Sequence, residues 1–102
     1  MRCRSCSPIP EEVRRAAGLL ERRWTVSIIW ASHSGAVRFG EFAQSLGGIP
    51  SATLATRLVE LEEAGVLERT LVPGRPPRTE YLLTERGRAL TDLVSALRTL
   101  SH

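Results

Sequence analysis

Lysine is absent from this chain: all fourteen of its basic residues are arginine. A GC-rich genome is the simplest origin of that bias, but its chemical consequence is the same whatever the origin. Arginine carries a planar fork of donors that matches phosphate oxygens and guanine edges, so arginines gathered on one surface would suit nucleic acid. Long apolar runs are missing too. No stretch approaches the roughly 18 residues that a membrane span requires, and the N-terminus MRCRSCSPIPEE has no apolar segment after its arginines. Neither a membrane span nor a secretory leader is expected, and a cytoplasmic location is.

Cysteine and histidine are scarce. Cys3 and Cys6 form a lone C-x-x-C, and the histidines, His33 and His102, stand far from it. In a reducing compartment the pair forms no structural disulfide, and one monomer supplies no tetrahedral zinc set, so no metal is expected. Two readings of the thiols remain open: incidental groups in a frayed tail, or an oxidant-sensing pair whose thiolates Arg2 and Arg4 would stabilise. Catalytic constellations are lacking as well. There is no Ser/His/Asp or Cys/His pairing, no glycine-rich phosphate loop and no paired-carboxylate site, which excludes the common enzyme classes and implies no catalytic residues and no cofactor.

What is present is the composition of one globular domain: 102 residues, 42% hydrophobic and 25% charged. A chain of that size is near the small end of what folds comfortably alone and would gain from a partner subunit. The formal charge of +3 and a pI near 9.6 point to an anionic partner.

The pivotal stretch is SATLATRLVELEEAGVLERTLVPGRPPRTEYLLT, residues 51–84. Leu54, Leu58 and Leu61 fall on one stripe of a helix, with Ala52, Thr56 and Glu63 on the opposite side. Gly65 supplies the left-handed residue that closes a helix C-terminus, so the helix ends at about Ala64. VLERTLV and RTEYLLT then read as two strands around PGRPP, a loop that neither helix interiors nor central strands tolerate. Upstream, residues 1–10 read as a flexible tail. Glu11 and Glu12 open a helix over residues 11–22, with Val13, Ala16, Ala17 and Leu20 on its apolar stripe. Residues 24–32 are the most apolar stretch and predict a buried helix anchored by Trp24, with Trp30 facing a pocket or a subunit and His33 a solvated or capping group. Residues 36–39 can form a short strand against the hairpin edge. Phe39, Phe42, Ala43 and Leu46 give a helix over residues 39–46 that stops at Gly47-Gly48, and Ser51 or its neighbour would cap the next one. Helix, glycine turn and helix follow in the order of a helix-turn-helix. Thr84 is a plausible cap for a last helix, along which Leu90, Leu93, Val94, Leu97 and Leu100 recur at helical spacing. A stripe that long at a chain end needs cover, and a second subunit can provide it.

These residues resemble the HxlR family of bacterial winged helix-turn-helix transcription regulators, over residues 11–100. The resemblance rests on Arg23-Trp24-Thr25, on Arg38-Phe39-Gly40-Glu41, and on Thr56-Arg57-Leu58 through Leu61-Glu62-Glu63-Ala64-Gly65. It continues in Pro76-Pro77-Arg78 with Glu80-Tyr81, Leu83-Thr84 and Gly87-Arg88. It implies a mainly α fold with a small β-hairpin (α+β), a winged helix-turn-helix domain over residues 11–102 with added N- and C-terminal dimerisation helices. It further implies a homodimer on double-stranded operator DNA of pseudo-palindromic form, a repressor more often than an activator, with a small-molecule or redox effector.

Within that picture the DNA-binding candidates are Arg38, Ser51, Ala52, Thr53, Thr56, Arg57, Arg75 and Arg78, with Arg57 as a phosphate contact in preference to a base reader, or else simply paired with Glu60 three residues on. The dimer-interface candidates are Val13, Leu20, Leu90, Leu93, Val94, Leu97 and Leu100. Two features depart from the family pattern. Where relatives often place a cysteine followed by proline before the first helix, this chain has Glu11 and Glu12. Where relatives present long polar or basic side chains on the recognition helix, this chain has Ala52, Thr56 and Val59. Base reading would then rest on the hydroxyls of Ser51, Thr53 and Thr56, on methyl contacts to thymine, and on Arg57. The rival readings are a protein-interaction module presenting Ala52 and Val59, and a thiol-based redox regulator using Cys3 and Cys6.

Overall fold

The computed structural model describes residues 7–101, so the expectations for Cys3, Cys6 and His102 lie outside the described residues. The elements in chain order are α1 (Glu11–Leu20), α2 (Thr25–His33), α3 (Phe39–Leu46) and α4 (Ser51–Glu63). They are followed by β1 (Leu67–Val72), β2 (Arg78–Leu83), α5 (Glu85–Arg88) and α6 (Thr91–Leu100).

The apolar stripes converge on one core. Ile28 and Ile29 of α2, Phe42 of α3, and Leu54, Leu58 and Leu61 of α4 are all buried, and Leu67 of β1 closes the cluster. Phe42 meets Tyr81 of β2 edge to face, with ring centroids 6.4 Å apart and planes at 80°, the arrangement that aromatic quadrupoles favour. This contact seats the hairpin on the helices. β1 and β2 pair antiparallel from Leu67 with Leu83 out to Val72 with Arg78, which leaves residues 73–77 as the exposed tip.

Several local expectations are corrected. α4 begins at Ser51 itself; Pro50 is its N-cap, and no side chain caps the helix. The short strand at residues 36–39 does not form. Glu41 draws the N–H groups of Val37 and Arg38 to its carboxylate, at 2.9 and 3.0 Å, and so commits the segment to the start of α3. One backbone bond to the hairpin survives, from the Tyr81 N–H to the Val37 carbonyl at 2.7 Å. Trp24 is half-buried rather than a central anchor, because it takes a left-handed conformation (φ 80°) that turns the chain from α1 into α2. The Arg23 guanidinium lies 5.3 Å from its ring. His33 is not a solvated residue: it turns back on its own helix, with Nδ1 2.9 Å from the Ile29 carbonyl and Nε2 buried without a protein partner.

The last helix is two helices. The Thr84 hydroxyl accepts the Gly87 N–H at 3.0 Å and faces the carbonyls of Gly65 and Val66. This pins α5 to the turn after α4. After the break, Val94 packs in the subunit's own core and Leu90 half-buries beside it, while Leu93 and Leu100 stay exposed at 42% and 82%. At the other end α1 has no buried residue.

Candidate nucleic-acid interface

The α3–α4 turn positions everything that follows. Gly47 and Gly48 adopt positive φ (38° and 91°), a conformation that costs glycine nothing and other residues a good deal. Ile49 is buried directly after them, so the chain is plugged into the core just before α4 starts. The N-terminal half of α4 then presents Ser51, Ala52, Ala55, Thr56 and Val59 as exposed residues, with Thr53 half-buried. The Thr56 hydroxyl donates to the Ala52 carbonyl at 3.0 Å, one turn back on the same helix.

Arg57 points elsewhere. Its Nε donates to the carbonyl of Arg23 at 2.9 Å, and its Nη1 lies 3.2 Å from Oε1 of Glu60. The second oxygen of Glu60 takes Arg22 at 2.9 Å. This network ties α4 to the α1–α2 turn, and with 18% of its side chain exposed Arg57 is engaged with protein, contrary to its expected phosphate contact. Arg86 and Arg88 are engaged as well, donating at 2.9 Å to the carbonyls of Ala64 and Leu83 respectively. They hold the ends of α4 and β2, where carbonyls lack intrahelical or ladder partners.

Arg38 and Arg78, forty positions apart in sequence, are brought together by Glu80. One oxygen of that carboxylate lies 4.0 Å from Nε of Arg38 and 3.7 Å from Nε of Arg78, and about half of each arginine side chain remains exposed. At these distances the carboxylate orients the guanidiniums without saturating their donors. Arg75 stands on the exposed tip. The start of α3 and the tip end of β2 therefore form one cationic corner. Glu41 supports it from below. The N–H of Val37 and then that of Arg38 hold the Glu41 carboxyl below its usual range, against an opposing effect of burial that outweighs the further pull of the Arg38 charge. It stays ionised at neutral pH.

Sequence reasoning placed Arg38, Arg75 and Arg78 but missed the acids that arrange them. Glu41 had a signal, an acid at the third helical position after Arg38, which is half of a capping box. Glu60 had one too, three residues beyond Arg57 on the same helix, and Glu80 lies two residues beyond Arg78 on one strand, but their second partners, Arg22 and Arg38, meet them only through the fold. Among the described residues no group of three His, Cys, Asp or Glu could hold a metal, and no helix is long and apolar enough to cross a membrane.

With this geometry in hand the comparisons are specific. A family model described as HxlR-like helix-turn-helix matches residues 19–102. The chain is 35% identical over 83 residues to YvaP, an uncharacterized HTH-type transcriptional regulator of Bacillus subtilis, covering 81% of this chain and 77% of YvaP. It is 45% identical over 80 residues to Mb3122, an uncharacterized HTH-type transcriptional regulator of Mycobacterium bovis, covering 78% of this chain and 50% of that one. The chain thus spans about half the length of the mycobacterial relative. Among solved structures, the reduced form of the transcriptional regulator YodB from B. subtilis has a TM-score of 0.80 at 33% identity, over 90% of each chain. Diamide-treated and quinone-bound forms of YodB superpose with TM-scores of 0.78 and 0.77.

Proposed function

The chain belongs to the HxlR-like helix-turn-helix family of transcription regulators, and from that premise we propose that it is a repressor that binds operator DNA as a homodimer. α4 enters the major groove, and the β1–β2 tip with Arg75 lies at the neighbouring minor groove, where arginine is drawn to negative potential. The observation that carries this reading is the corner made by Arg38 and Arg78 around Glu80. It sets two half-exposed guanidiniums at the start of α3, with donors left for phosphate.

Dimerisation is supported by the exposure of Val13 on α1, at 49%, and of Leu93 and Leu100 on α6. Leu20 and Leu97 are half-buried beside them. A two-fold dimer presents two copies of α4 and calls for a pseudo-palindromic operator. Binding and dimerisation need no catalytic group, and the protein acts in the cytoplasm. A second reading concerns regulation: because its relative YodB has been solved in diamide-treated and quinone-bound forms, a thiol-reactive effector acting on Cys3 and Cys6 is the effector class to test first.

A mobility-shift titration against DNA from immediately upstream of the chain's own gene tests the main reading. Retardation of that DNA ahead of random duplex, weakening steeply with salt, is expected. Equal or no retardation would overturn it in favour of a protein-interaction module. Loss of the shift with diamide, prevented in a Cys3→Ser/Cys6→Ser variant, tests the second reading.

A further inference from the structure

From Ser51 to Val59 the exposed face of α4 carries no free charge; the first along it is Glu63, one turn beyond Val59. Arg57, the basic residue of that helix, is bonded to the Arg23 carbonyl and to Glu60, and Glu60 is held in turn by Arg22. The Thr56 hydroxyl donates its proton to Ala52. That leaves a surface of methyl groups and one free hydroxyl: Ala52, Ala55, the Thr56 methyl and Val59, which is 49% exposed, with Ser51 at the helix start. These positions recur at one, three and four residues, so they share the side of α4 away from Leu54, Leu58 and Leu61.

A methyl surface of this kind makes no bidentate bond to a guanine edge, which calls for a cation, or to an adenine edge, which calls for a side-chain amide. The Ser51 hydroxyl beside it can bond either base and so discriminates little. The major groove offers the methyl surface one complementary feature, the C5-methyl group of thymine. Resting on the DNA-binding reading above, we propose that α4 selects its operator through thymine methyl groups, with Ala52, Thr56 and Val59 as the specificity-determining residues. Affinity then comes from the arginines of the hairpin and the α3 corner, and sequence preference from apolar contact. Operators of this protein carry thymines at the positions facing α4, on either strand.

Replacing thymine by uracil removes the methyl and leaves base pairing intact, which makes it a direct probe. A duplex selected from random-sequence DNA by the full-length protein would be resynthesised with uracil in place of every thymine. Binding should fall roughly fourfold for each contacted methyl, the worth of burying one such group. Thr56→Ser keeps the hydroxyl and its bond to Ala52 but loses the side-chain methyl; this variant should bind the thymine duplex more weakly and discriminate less between thymine and uracil. Equal affinity of the wild-type protein for both duplexes, or undiminished discrimination by Thr56→Ser, overturns the proposal while leaving DNA binding intact. Failure of the selection to enrich any sequence overturns the DNA-binding reading itself.

Discussion

Gly87 lies against the carbonyl of Val66 so closely that a Cβ at this position would stand 2.3 Å from the oxygen. Its N–H is held by the Thr84 hydroxyl, and the same Val66 carbonyl accepts the Thr84 N–H at 3.1 Å. The glycine, the hydroxyl and the carbonyl form one joint between the helix-turn-helix and the C-terminal helices. Gly87→Ala forces Val66 and the strand behind it to move, and overpacking of this kind costs about 1–3 kcal/mol. A thermal midpoint lower by several degrees is expected for a domain of this size. An alanine variant that melts with the wild type would mean that the joint is looser than its geometry.

Arg75 and Arg78 should separate from Arg57 in two measurements. Arg75→Ala/Arg78→Ala removes exposed charges, so stability should hold within about 0.5 kcal/mol. The slope of log affinity against log salt should become shallower by about two for each subunit. Arg57→Ala takes from the Arg23 carbonyl its donor and from Glu60 one of its two arginines, at about 1–2 kcal/mol, and should leave the salt slope alone. The reverse pattern would return Arg57 to the DNA interface and remove the hairpin from it.

The helices and the hairpin were legible in the sequence because their signals are local. The stripe of Leu54, Leu58 and Leu61, the glycines after α3 and α4, and the prolines at the hairpin tip each act within a few residues. The break at Leu90 was not legible, since the spacing from Leu90 to Leu100 is compatible with one unbroken helix. At the break the Leu90 N–H returns three residues to the Gly87 carbonyl at 3.1 Å, and α6 starts afresh at Thr91. The cationic residues were legible as residues, but their duties were not. Glu60, one turn beyond Arg57, is a local hint of its pairing, but the Arg23 carbonyl that holds Arg57 and the meeting of Arg78 with Arg38 across a shared carboxylate are not local. Long-range partners decide which arginines remain free for a ligand.

Glu41 makes the start of α3 sensitive to acid. Hydrogen bonds from Val37 and Arg38 lower its pKa from the ordinary 4.5, so the unfolded chain binds a proton more readily than the folded one. Its stabilising contribution is complete above 4.5 and is lost as pH falls through the lower folded value. Stability measured across the acid range should be flat at mild pH and decline below that point. Glu41→Gln should be less stable at neutral pH and show a shallower acid decline; parallel curves for the two proteins would show that the carboxylate contributes nothing.

Leu100 offers the sharpest test of how the subunits associate. It is 82% exposed, so a charge placed there leaves the subunit's own core untouched, unlike one at Val94, which is 6% exposed. In a two-fold dimer every substitution acts twice. Burying a leucine is worth about 1.5–3 kcal/mol, so Leu100→Glu should weaken a dimer that buries this residue by at least about 100-fold. Sedimentation at micromolar protein should then show monomers, and the thermal midpoint should lose its dependence on protein concentration. Leu97→Glu should act in the same direction, with some cost to the subunit because Leu97 is half-buried. If both variants remain dimeric, the exposed leucines of α6 are not the contact, and Val13 with the rest of α1 becomes the surface to change next.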